Sequence, residues 1–311
     1  MTAFRFPIGD TGETQERVIV QILGGLGNQM FQYALGRAIS ERTGAPLLLD
    51  TNVIKHAHQN TPRGYDLDIF KLRPTFATRA DVSRYHSHGA GLVGKIAHRV
   101  RRRMGVSKII HQREFAFQPE IFDLRPPLYL AGLWQSYRYF ADIEDALRRD
   151  FEFCDVLPPS AADLAQAISR PGAVCLHVRR GDYTEPAHAS SIGLSGIDYY
   201  RRAAARVREL VDQPAFFIFS DDLDWCHDNF RWLGEAARFV EYAAPPGFKL
   251  HALDLQLMAR AECFITANST FSWWAAWLAG DRAKLVITPR EWFKDPRLSA
   301  NDLIPQHWER L

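Results

Sequence analysis

The chain has 311 residues, a length that suggests two domains at roughly 150 residues each, and its 47% hydrophobic content can bury sizeable cores, which argues against a disordered chain. Its 38 basic and 36 acidic side chains leave a formal charge of +2, so no global field points to nucleic acid or to a strongly acidic partner. The cysteines, Cys154, Cys175, Cys226 and Cys263, form no Cys-x-x-Cys pair, which argues against a zinc cage or redox motif and suits reduced thiols.

Residues 1–17 carry neither the apolar region nor the cleavage pattern of a signal peptide, and no apolar run approaches the ~20 residues that span a bilayer. A cytoplasmic location is the expectation. Arg17 to Leu23 reads as a buried strand, Asn28 to Thr43 as a helix and Pro46 to Asp50 as a second strand, a βαβ opening. The stretch 52–106 is less regular and decorates the first domain; within it, Lys95 to Arg103 packs many cations into one predicted helix, which is either a solvated face or a rest for anionic lipid. A boundary falls near Leu157-Pro158-Pro159-Ser160, dividing the chain into domains 1–157 and 158–311. Beyond it, strands at 173–178, 215–220, 238–242, 263–266 and 284–287 alternate with helices near 198–211, 223–233, 249–260 and 270–279. This alternation predicts an α/β fold with a parallel sheet covered by helices, and ligands beyond the carboxyl ends of the strands.

Leu23-Gly24-Gly25-Leu26-Gly27-Asn28-Gln29-Met30 sits where the first strand gives way to a helix, so backbone amides can approach an anion or a sugar closely. With Asp50 ending the second strand, the loop also admits a dinucleotide reading, although Met30 stands where that motif has its third glycine. The apolar strand 173–178 carries His177 near its end and runs directly into Arg179, Arg180, Gly181 and Asp182. His177 and Arg179 share a face by alternation, and an arginine fork there can grip a phosphate; Arg180 and Asp182 also admit a structural ion pair. Ser220-Asp221-Asp222 ends another strand with paired carboxylates, one able to accept from the edge of guanine and the other able to cap the next helix. In Asn268-Ser269-Thr270-Phe271, a hydroxyl-rich turn opens a helix whose free amides suit both capping and a diphosphate. Trp273, Trp274 and Trp277 have the helical spacing of core packing.

Together, Gly24 to Ala34, His177 to Tyr183, Ser220 to Asp222 and Asp254 through Trp274 resemble glycosyltransferase family 11, the α1,2-fucosyltransferases, over most of the chain. The resemblance implies a GT-B-like architecture of two facing Rossmann-like domains, the first on the acceptor side and the second holding the nucleotide. Carried over by position, Arg179 resembles the catalytic arginine on the donor β-phosphate, and His177 and Asp222 resemble guanine or ribose contacts. Ser269, Thr270 and Phe271 resemble the phosphate and base-packing turn. Arg180 and Asp182 are placed with the donor-binding group, and Gly25, Gly27, Asn28 and Gln29 with the loop facing fucose and acceptor; the catalytic base is unassigned. The implied reaction is inverting transfer of L-fucose from GDP-fucose to the 2-hydroxyl of a terminal β-galactoside.

The likeness is to the bacterial branch, which decorates lipid-linked or surface glycans such as O-antigen from the cytoplasmic side, with possible peripheral contact at the inner membrane. Asp66-Leu67-Asp68 and Asp222-Leu223-Asp224 have the Asp-x-Asp spacing of metal-binding glycosyltransferases. The first reads as a structural turn and an arginine can replace the metal's charge, so neither a metal nor another cofactor is expected. The alternatives are an NAD(P)-dependent oxidoreductase built on the glycine loop and Asp50, and a non-catalytic nucleotide-sugar-binding protein.

Overall fold

The computed structural model describes residues 16–56, 64–85, 108–181 and 193–311. The cationic segment Lys95 to Arg103, together with Asp182 and Tyr183, lies outside them.

The opening unit forms as the apolar pattern predicts. Strand β1 (Val18–Gln21) leads into helix α1 (Leu26–Thr43), which returns to β2 (Leu47–Asp50). Gly44 ends α1 in the left-handed conformation, φ 72°, where a side chain would be strained. Strands β3 (Thr75–Phe76), β4 (Lys108–His111) and β5 (Leu128–Ala131) complete a five-stranded sheet in the order β3-β2-β1-β5-β4. All its pairings are parallel, and β5 lies beside β1 at its centre.

The second sheet contains β6 (Ala173–Val178), β7 (Ala215–Ser220), β8 (Ala237–Phe239), β9 (Cys263–Ile265), β10 (Leu285–Thr288) and β11 (Glu309–Arg310). Its order is β11-β10-β9-β6-β7-β8, again parallel throughout. The connecting helices used below are α2 (Ile197–Leu210), α3 (Leu223–Asn229), α4 (Leu250–Met258) and α5 (Thr270–Ala279). Central β6 is buried along its whole length, as an apolar run in a two-sided parallel sheet should be. Cys175, Cys226 and Cys263 are buried free thiols in this core, while Cys154 is exposed.

The two sheets are joined through α1 and α5. Trp273 and Trp274 are fully buried; Phe31 of α1 packs against them at ring-centroid distances of 4.7 and 4.9 Å, and Phe140 stacks on Trp274 at 5.3 Å. The tryptophans are core, as their spacing implies. Trp274 Nε1 donates to the Gly27 carbonyl at 3.0 Å, tying the first turn of α1 to α5. The C-terminal segment also reaches back: Asp302 accepts from the Phe117 amide at 3.0 Å and pairs with Arg138 at 2.8 Å. Among the described residues, no helix is long and apolar enough to cross a membrane.

Gly27 is where the helices come closest. A Cβ there would lie 2.5 Å from Thr270 Oγ1 and 2.6 Å from the Thr270 carbonyl carbon, and backbone cannot rotate aside as a flexible side chain would. The expected effect of Gly27→Ala is a loss of about 1–3 kcal/mol, the usual scale of overpacking, read as a lower urea midpoint at unchanged slope. An unchanged midpoint would mean that the helices separate without cost.

Candidate functional site

A cavity of about 720 Å³ opens between the sheets, lined by Gly25, Gly27 and Asn28 from the first half and by His177, Arg179, Asp221, Asp254, Ser269, Thr270 and Phe271 from the second. The residues at the carboxyl ends of β6, β7 and β9 reach it because all three strands run the same way. Buried tyrosines of α2 hold the strand ends at fixed spacing. Tyr199 donates to the Thr266 carbonyl at 2.7 Å and lies 3.2 Å from that of Ile287, and Tyr200 donates to the His177 carbonyl at 3.1 Å.

Two helices begin at the cavity. Gly25 opens α1 without a side-chain cap, and Ser269 opens α5, its hydroxyl accepting from the Phe271 amide at 3.3 Å. Both positive helix ends therefore face one space, an arrangement suited to an anion. Asn28 Oδ1 accepts from Thr270 Oγ1 at 3.2 Å and from Gln135 Nε2 at 2.8 Å, fixing one helix start against the other.

Arg179 adds charge, held by Asp221 at 2.9 Å. Asp221 also accepts from the backbone amides of Arg180 and Gly181, at 2.8 and 3.1 Å. His177 is buried, and its Nδ1 has no hydrogen-bond partner among the described residues. Burial first, and the Arg179 charge second, push its pKa down to about 4 against a smaller opposing effect of Asp221, so the ring is neutral at physiological pH. Asp254 behaves oppositely: burial pushes its carboxyl up to about 6, partly countered by the Tyr242 hydroxyl that donates to it at 2.8 Å.

The sequence profile of Glycosyl transferase family 11 matches residues 111–311. The chain belongs to this family. An Escherichia coli alpha-1,2-colitosyltransferase is 29% identical over 296 residues, covering 94% of this chain and 98% of that protein. Human galactoside alpha-(1,2)-fucosyltransferase 1 is 31% identical over 170 residues, 52% of this chain and 46% of the human one. Among solved structures, fucosyltransferase NodZ from Bradyrhizobium matches with a TM-score of 0.50 at 16% identity, covering 85% of this chain and 93% of its own. That likeness concerns the fold, which is GT-B-like with two parallel-sheet α/β domains.

Most residues singled out from the sequence of this family 11 chain line the cavity: His177, Arg179, Ser269, Thr270, Phe271, Gly25, Gly27 and Asn28. Others are placed differently. Asp222, expected at the nucleotide base, caps α3 by accepting from the Trp225 amide at 3.1 Å and pairs with Arg180 at 3.0 Å; its neighbour Asp221 faces the cavity. Arg180, expected with the donor, lies over the Trp225 ring at 4.1 Å. It does form an ion pair, with Asp222; Asp182, the partner read from the sequence, is outside the described residues. Gln29, expected on the acceptor loop, is fully buried and bonds to Gly24, Gly64 and Asp66 backbone groups.

Asp50, the key to the dinucleotide reading, is also buried, accepting from Tyr129 at 2.8 Å and Asn52 at 2.7 Å. It is a tie between β2 and β5 and not among the residues lining the cavity. Asp66 and Asp68 surround Lys249, at 3.9 and 2.6 Å, so the first Asp-x-Asp bridges the two halves of the molecule. The sequence reading assigned no role to Asp254, although a carboxylate set among Leu253, Leu255, Leu257 and Met258 of α4 was a legible signal.

His177 and Asp254 give opposite pH dependences of stability. Unfolded His177 takes up a proton near 6.5 that the folded site refuses until about 4, so its contribution is complete above pH 6.5 and lost as pH falls towards 4. Folded Asp254 keeps its proton up to about 6 while the unfolded group releases it near 3.8, so its contribution is complete below 3.8 and lost as pH rises towards 6. Urea titrations across this range are expected to show Asp254→Asn losing stability more steeply on acidification than the parent, and His177→Gln less steeply. Parallel curves for all three proteins would contradict both assignments.

Proposed function

We propose that the protein is an inverting galactoside 2-α-L-fucosyltransferase, moving L-fucose from GDP-β-L-fucose to the 2-hydroxyl of a terminal β-galactoside. The observation that carries this reading is the meeting of Arg179 with the starts of α1 and α5 in one cavity between two parallel sheets. Positive groups fixed before the reaction stabilise the charge that grows on a departing diphosphate, and they do so best where water is largely excluded. Membership of family 11 and the names of the relatives support the same chemistry.

In this reading the acceptor hydroxyl oxygen attacks the anomeric carbon from the face opposite GDP, the bond to the β-phosphate oxygen breaks, the hydroxyl proton passes to solvent, and the β-linked sugar becomes α-linked. The sugar passes through an oxocarbenium-like state, as glycosyl groups do. Arg179 and the Ser269 to Phe271 turn take the β-phosphate. Neutral His177 donates or accepts through its unpartnered Nδ1, and Asp254, ionised at neutral pH, accepts from the N–H and NH₂ edge of guanine. Asp254 thus takes the part first assigned to Asp222, whose carboxylate is engaged as a helix cap. No metal is needed, since arginine and the helix ends supply the positive charge.

The experiment is calorimetric titration with GDP-fucose in excess chelator, followed by product analysis on a panel of β-galactosides. GDP-colitose runs in parallel, because one relative is named for colitose, which is fucose without its 3-hydroxyl. Preferred transfer of fucose to the 2-hydroxyl supports the proposal; preferred use of colitose would reassign the donor sugar while keeping the site. Activity is expected to survive the chelator, and a loss restored by manganese would refute metal independence. Arg179→Ala is expected to lower turnover about a hundredfold or more, the scale of losing one preorganised donor, with an unchanged melting curve. Turnover like that of the parent would sink the assignment of Arg179.

A further inference from the structure

The cavity is chemically divided. His177 at the end of β6, Arg179 and Asp221 just after β6 and β7, and Asp66 with His251 and Asp254 of α4 supply its charged and titratable groups, whereas Trp292, Phe293 and Leu298 follow β10, on the other side of β9 in the sheet order. The start of α5, which follows β9, lies between these two groups in the order of the sheet. From the facing half, Phe115 after β4 and Leu133 with Gln135 after β5 complete the apolar end. Among the described residues, the side chains lining this end are uncharged.

Phe115 and Phe293 meet across the cleft with ring centroids 4.8 Å apart and planes inclined at 52°. Both rings remain partly exposed within the cavity. Each is anchored through its own segment. Asp302 holds the Phe117 amide, and Asn268, one residue before the α5 cap, donates to the Trp292 carbonyl at 3.1 Å. The wedge is therefore preorganised and continuous with the anion-binding turn.

We infer that this wedge is the acceptor subsite, with Phe115 and Phe293 receiving the C–H face of a neutral terminal β-galactoside ring. The inference rests on the transferase reading above and deepens it. In β-galactose the axial 4-hydroxyl leaves the C–H bonds of C3, C4 and C5 on one face, an apolar patch that an aromatic ring can cover while the hydroxyls stay at the edge. Gln135, whose amide is oriented by Asn28, stands at that edge beside the glycine loop. A uronic acid or sialic acid would meet no cation among the described residues lining this end, so the subsite is built for neutral sugars. Glucosides, with an equatorial 4-hydroxyl, present a smaller apolar face and bind less well.

The test is a set of variants, Phe115→Ala, Phe293→Ala and Phe293→Tyr, each checked by thermal melting, with GDP affinity measured by calorimetry and initial rates measured over acceptor concentration. Each alanine variant is expected to raise the acceptor KM about tenfold or more, the scale of losing an aromatic anchor, with GDP affinity unchanged; Phe293→Tyr is expected to restore most of the loss. Weakened GDP binding in the alanine variants would make the wedge a base-stacking site and overturn the inference, and so would an unchanged acceptor KM. Loss of folding in an alanine variant leaves the decision to Phe293→Tyr and to the parent's preference for galactoside over glucoside and galacturonide, whose absence also overturns the inference. A parent protein that binds no guanine nucleotide would instead overturn the transferase reading itself.

Discussion

The close approach of α1 to α5 is the constraint on which the rest depends. At Gly27 there is no room for a β-carbon, so the first turn of α1 lies directly against Thr270. The contact places two positive helix ends side by side, and the bonds from Trp274 to the Gly27 carbonyl and from Thr270 and Gln135 to Asn28 lock them there. Glycine at this position thus serves helix packing first. Its effect on the site is indirect: it sets the separation of the two halves, and with it the width of the cavity between them.

The second half of the fold was largely legible in the sequence because its central strands are buried on both faces, whereas the two-residue, half-buried edge strand β11 was not read. Val174 to Val178 and Phe216 to Phe219 leave no doubt as runs, and the observed β6 and β7 match their predicted limits. The first half was legible only at its opening. Strand β5 lies beside the central β1 but has four residues, follows Pro126-Pro127, and gives no longer periodicity to read. Strand β4 begins and ends on polar residues, and β3 has only two residues, both exposed. What identifies these strands is pairing with β1 and β2, a long-range relation that no local pattern encodes.

The site was legible at the level of segments and less so at the level of atoms. The four segments of the family resemblance all contribute residues to the cavity, but which of two neighbouring carboxylates faces inward depends on where α3 starts. Asp222 takes the cap and Asp221 the cavity, a choice settled by backbone direction at the end of β7. Gln29 shows the same limit. On α1, one residue beyond cavity-lining Asn28, it points away and ties the backbone of Gly24, Gly64 and Asp66 together. Asp50 illustrates the converse, since a carboxylate after the second strand invites a ribose contact until Tyr129 is seen to occupy it.

Charge in the cavity is balanced so that the site is formed before any ligand arrives. Arg179 is paired with Asp221, and Asp221 is in turn fixed by two backbone amides, so the guanidinium has a defined position while retaining partial exposure to the cavity. In the proposed reading, a diphosphate entering between the helix ends shares Arg179 with a carboxylate already held by other donors. The remaining polarity follows the same logic. His177 is kept neutral by burial and by Arg179, which avoids adding a second cation beside the first, and its Nδ1 has no hydrogen-bond partner among the described residues. A buried group left unsatisfied costs stability in the empty protein. In the proposed reading, its place at the end of β6, held by Tyr200 and next to the arginine, makes that cost part of binding.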